Sequence, residues 1–109
     1  MTKINDIDLA DGKIISIAYE ADKVVLKVTD WQEKNFILEF YGVVGIESYS
    51  PENVDLSQFL INKESESLKL VCSRIEEDLE RVYEYQFISV WNDQAILTIY
   101  SEGLQVNRA

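Results

Sequence analysis

Carboxylates are the abundant reactive side chains of this chain: 20 Asp and Glu stand against 10 Lys and Arg, and there is no histidine. The densest acidic group is Glu76, Glu77, Asp78 and Glu80. A hard cation such as calcium takes oxygen ligands, so such a group invites a metal reading. Successive residues of a helix point in different directions, however, so these four do not converge and read as a solvated helix face. Asp6, Asp8 and Asp11 invite the same reading, but their D-x-D-x-x-D spacing departs from the calcium-loop pattern. Nothing nominates two acids held apart across a cleft for hydrolysis. The lack of histidine removes the usual acid–base group near neutral pH. The single cysteine, Cys72, makes neither an intramolecular disulfide nor a zinc site alone. It lies between Val71 and Ser73 and reads as a small buried hydrophobe, with no imidazole to activate it. No phosphate-loop or dinucleotide motif occurs. The expectation is a non-catalytic protein with no metal and no cofactor.

Aromatic residues are the other candidates. In YEYQFISVWN, Tyr83 to Asn92, alternate positions read Tyr83, Tyr85, Phe87, Ser89, Trp91. As a strand this places the aromatics on one face. That face serves either as core, with Phe87 and Trp91 buried, or as a binding surface, with Ile88 and Val90 turned inward instead. A one-residue change of register exchanges the two. Trp31 sits in a polar turn, an unusual place for a large aromatic unless it folds back over the sheet edge. Trp31, Tyr41, Tyr49 and Tyr85 are the candidate partner-binding aromatics, with Glu76, Glu77 and Asp78 as an electrostatic contribution.

The elements that would position them follow from pattern. The 109-residue chain, 47% hydrophobic, suits one domain with its own core. No internal repeat, linker or apolar run of membrane-spanning length is present, and the N-terminus lacks a signal-peptide pattern. Strands are expected over residues 12–20, 24–31 and 36–49, with Gly42 and Gly45 bulging or bending the last. Ser50 and Pro51 start a turn, and Leu56–Leu60 is read as one helical turn. Residues 65–82 carry apolar side chains at spacings of three and four (Leu68, Val71, Cys72, Ile75, Leu79, Val82), which predicts an amphipathic helix. Leu70 is its misfit. Two further strands follow, joined at Asn92-Asp93, with Gly103 breaking the last. The fold class is α+β: an antiparallel meander of about six strands with one helix packed on one face, the aromatic strand providing that face.

The net charge of −10 disfavours nucleic acid and anionic membranes, which demand cations. It suits solubility or a basic protein partner. The line DGKIISIAYEADKVVLKVTDWQEKNFILEFYGVVGIESY resembles a group of small bacterial domains with Asp plus I-x-S-I, a tryptophan-bearing turn and F-x-G-V-x-x-I. Here these are Asp11, Ile15–Ile17, Trp31 and Phe40–Ile46. YQFISVWNDQAILTIYSE resembles their later strands. Such domains often carry a histidine before the Asp, where this chain has Ala10. Similar acidic domains include immunity proteins, which neutralise a toxin. The lack of a signal pattern or membrane span points to the cytoplasm, and the resemblance implies a protein-binding module of the immunity type. A small-ligand binder using the aromatic sheet face, and a self-associating homodimer, are the alternatives.

Overall fold

The computed structural model describes residues 9–63, 65–75, 79–91 and 93–108. Tight turns organise the first half. Strand β1 (Lys13–Glu20) leads through Ala21 and Asp22 to β2 (Lys23–Thr29), and a turn at Asp30 leads to β3 (Asn35–Ser48). Val24, Leu26 and Val28 lie opposite Phe40, Leu38 and Phe36. All six are buried, because strand alternation sends every second side chain to the same face. Gly42 and Gly45 act as expected. Gly42 has φ +60, a conformation that a Cβ disfavours, and the register slips between Val43 and Gly45.

The bend does not divide β3. The fourth strand is β4, Leu56–Asn62, where the sequence suggested a helical turn. Its backbone pairs with β5 (Tyr83–Ser89), placing Phe59 opposite Phe87 and Ile61 opposite Tyr85. Pairing with a neighbour outweighs weak local propensity here.

Helix α1 spans Glu66–Ile75, shorter than the expected 65–82. The Ser65 hydroxyl accepts the Leu68 N–H at 3.1 Å, a cap for an otherwise unpaired donor. Leu68 and Cys72 are buried, and Leu70 is exposed as its position in the pattern suggested. Ile75, assigned to the apolar arc, is also exposed. Residues 76–78 lie outside the described part, and Leu79–Arg81 form a 3-10 turn.

Strand β6 (Ala95–Arg108) runs through Gly103 instead of breaking there. The Tyr41 ring, on its cross-strand partner, lies over the space that a Cβ at Gly103 would take. The sheet has six strands in the order β1-β2-β3-β6-β5-β4, all pairs antiparallel. It consists of two three-strand meanders joined along β3 and β6, with one helix outside: an α+β fold, as the pattern implied.

The sheet curls until its edges meet at one end. Asp11 N–H donates to the Leu56 carbonyl at 2.7 Å, and Leu56 N–H donates to the Gly12 carbonyl at 2.9 Å. Leu26, Leu38, Phe40, Phe87, Leu97 and Ile99 fill the inside, with no exposed surface. Tyr85 and Phe87 meet Phe40 edge-on at ring distances of 5.0 and 6.4 Å, a favoured aromatic geometry. The helix therefore does not pack on the aromatic face. It lies on the outer face, where Leu68, Cys72, Val82 and Tyr100 form a second cluster with Val44 and Val71. Trp91 is not core either: it is 79% exposed. The register slips between Phe87 and Ile88, both of which are buried, and β5 ends at Ser89. Alternation stops two residues short of Trp91.

Candidate functional site

The outer surface of the sheet carries two grooves, each with an exposed aromatic beside carboxylates. The first surrounds Trp31. Asp30 builds its turn: one carboxylate oxygen accepts the N–H groups of Gln32 and Lys34, each at 2.9 Å. Such a side-chain-to-backbone turn fixes the loop without a glycine. Trp31 projects from it, 59% exposed, into a groove of about 460 Å³ lined by Asp11, Lys13, Ile15, Thr29, Glu33 and Asn53 among others. Asp11, Glu33 and Asn53 all have φ between +62 and +64, a strained region for residues with a Cβ and one enriched at functional sites. Lys13, a cation on its lining, is 3.6 Å from Asp55.

The second groove is on the other half of the outer face. Pairing sets Glu47 opposite Thr98 and Thr98 opposite Gln86; on the next rung Tyr100 is opposite Glu84, and Glu84 opposite Asn62. Helix α1 covers the Tyr100 end and leaves the rest open. The result is a groove of about 420 Å³ lined by Glu47, Tyr49, Ser67, Gln86, Thr98 and Tyr100 among others. Tyr49 is 67% exposed, whereas Tyr100 is buried. Burial, then the charges of Glu84 and Glu47, push the Tyr100 phenol up to about 12; a hydrogen bond with Ser67 partly opposes this, and one with Glu84 adds to it. Near neutral pH it is a protonated donor.

Glu84 is the unusual member, only 2% exposed. Its Oε1 accepts Asn62 Nδ2 at 2.9 Å, and the same amide donates to Gln86 Oε1 at 2.9 Å. Its Oε2 is buried without a donor among the described residues, a costly state for a polar atom.

Trp31 and Tyr49 thus belong to separate grooves. Tyr41 is half exposed and lies over Gly103. Tyr85, chosen as a surface candidate, is buried, stacked with Phe59 at 6.1 Å. Burial, then the phenols of Tyr41 and Tyr83, push its hydroxyl up to about 12. On the aromatic face of β5, Tyr85 and Phe87 are consequently interior, whereas Tyr83 at the strand's start is exposed. Glu76, Glu77 and Asp78 lie outside the described residues, as do Asp6 and Asp8 of the acidic N-terminal group. Among the described residues no group of acids or cysteine is placed to hold a metal ion, and no helix is long and apolar enough to cross a membrane.

Sequence reasoning missed Glu84, Gln86 and Tyr100. A signal existed. Glu84 and Gln86 occupy alternate positions opposite the aromatics, which puts polar groups on the face away from the one that a helix was expected to cover. Comparison with family models, with curated proteins and with solved structures finds no match for this chain.

Proposed function

We propose that this chain is a non-catalytic module that binds a basic protein, with an immunity-type inhibitor of a toxin as one form of that function. The observation that carries the reading is Trp31, an exposed aromatic held by a rigid turn within a groove bearing Asp11, Asp30 and Glu33. Protein interfaces concentrate their energy in such aromatic anchors. Carboxylates around them, on a chain of net charge −10, favour a cationic surface and speed its encounter.

The test is affinity capture of the tagged protein from lysate of its source organism at low and high salt, beside Trp31→Ala. The expected result is one basic protein, lost as salt rises and lost at low salt with the variant. Removing an aromatic anchor typically costs about 2 kcal/mol or more of binding. Retention of the chain's own copies alone would overturn the reading. It would favour a homodimer through the edge of β4, where Leu60 and Ile61 are exposed beside unpaired strand groups.

A further inference from the structure

We propose that the groove on the outer face between Tyr49 and helix α1 binds a neutral, hydroxyl-rich ring, the chemistry of a saccharide. Its floor is a row of three polar side chains. Glu47, Thr98 and Gln86 stand across β3, β6 and β5, each opposite the next, and all three line the groove. Adjacent side chains in such a row are about 5 Å apart. Thr98 is only 4% exposed, yet its hydroxyl has no hydrogen-bond partner among the described residues. The unpaired side-chain atom that is shut off from solvent there is Glu84 Oε2, so the Thr98 hydroxyl keeps open surface. A nearly buried polar group of this kind takes its partner from the groove.

Gln86 fixes the polarity of the row. Its Oε1 accepts Asn62 Nδ2 at 2.9 Å, which leaves its amide N–H groups to donate. The Glu47 carboxylate accepts, and the Thr98 hydroxyl does both. Among the described residues neither Lys nor Arg lines the groove. An anion would meet Glu47, and a cation would meet the Gln86 N–H groups. A neutral ligand whose neighbouring groups each donate and accept matches all three, and adjacent sugar hydroxyls are such groups.

The walls suit the rest of the ring. Tyr49 and Ile96 bound one end, where the Tyr49 N–H donates to the Ile96 carbonyl at 2.9 Å. The Tyr49 side chain is 67% exposed, and the negative face of its ring attracts the C–H side of a sugar. Ser67 and Tyr100, hydrogen-bonded to one another, bound the other end. The volume of 420 Å³ falls among small-molecule sites, which run from about 300 to 1,000 Å³. This site uses no part of the binding-module reading, which rests on the Trp31 groove.

The experiment titrates ¹⁵N-labelled protein with the methyl pyranosides of glucose, galactose, mannose and N-acetylglucosamine in turn. It follows the Gln86 side-chain amide, the Thr98 and Ser67 backbone amides and the Trp31 indole N–H. Tetrahydropyran, a ring without hydroxyls, is the shape control, and N-acetylglycinamide tests a peptide amide instead. Saturable shifts at Gln86, Thr98 and Ser67 are expected with at least one glycoside and with neither control. Tyr49→Ala should weaken that binding about fivefold or more, and Thr98→Val, which removes the hydroxyl, several-fold. Trp31→Ala and Tyr19→Ala remove exposed aromatics elsewhere and should leave it unaltered.

Should Thr98→Val fail to fold, Tyr49→Ala at its exposed position decides. Tighter binding of a disaccharide than of the methyl glycoside of its terminal ring identifies a glycan chain as the source, and equal or weaker binding identifies a free sugar. No saturation with any glycoside, an equal response to either control, or undiminished binding by Tyr49→Ala would overturn the proposal. Shifts centred on the Trp31 indole would overturn it too, by placing the sugar in the other groove. Saturation without capture of any basic protein would reject the binding-module reading and leave this site standing. Capture without saturation would do the reverse.

Discussion

The inner and outer faces of this sheet are made by the same strands and behave in opposite ways. On β5, Tyr85 and Phe87 point into the buried core, while Glu84 and Gln86 point outward. On β6, Leu97 and Ile99 are inside and Thr98 and Tyr100 outside. The inner face needs no helix, because the curled sheet covers itself. The helix is thus free to cover part of the outer face, and what it leaves open is polar. The lesson is a division of labour: apolar area holds the fold together inside, and polar side chains such as Glu84, Gln86 and Thr98 gather outside, beside the helix.

The largest effect should come from the inner face. Phe87→Ala removes a fully buried ring that touches Phe40 and Phe59, and a loss of about 3–5 kcal/mol is expected in urea unfolding. A loss below about 1 kcal/mol would mean that the interior is not the main store of stability.

Alkaline titration compares the faces directly, since Tyr85 lies on the inner one and Tyr100 on the outer. Both phenols are pushed up to about 12 from the ordinary 10. The unfolded chain loses these protons first, so the native state binds more protons above pH 10. Stability is fully present below about pH 10 and falls as pH rises toward about 12, by roughly 2 kcal/mol per tyrosine. Tyr85→Phe and Tyr100→Phe should each flatten that fall. A fall that survives in both variants would assign it to other groups.

Glu84→Gln should have a smaller effect and the opposite sign. It removes a buried charge and retains an acceptor for Asn62, so unfolding free energy should hold or rise by about 1–2 kcal/mol. Marked destabilisation would show that the carboxylate is internally compensated. The smallest effect belongs to Trp91→Ala. Its exposed turn position predicts a change within about 0.5 kcal/mol, where a core tryptophan would cost several.

Much of the fold was legible from local pattern. Val24, Leu26 and Val28 alternate cleanly, Gly42 marks its bulge, and Leu68 with Cys72 marks the buried side of the helix. Trp31 was legible as an unusual aromatic in a polar turn, which left open a ring folded back over the sheet edge; the structure leaves it exposed. Tyr85 was not, because the same alternation allows either face, and only contact with Phe40 and Phe59 chooses between them. Leu56–Asn62 was misjudged because the partner that makes it a strand lies more than twenty residues ahead in the chain.

Composition alone settles the strongly acidic charge and the absence of imidazole chemistry, since these are counts that no folding step alters. Period settles the α+β class, because strands and helices repeat at different spacings along the chain. Three matters belong to the tertiary structure: the curl that closes the inner face, the placement of the helix on the outer one, and the burial of Glu84 between Asn62 and Tyr100. Each depends on β3 meeting β6 and β4 meeting β5. These are pairings between distant segments, and no local pattern records them.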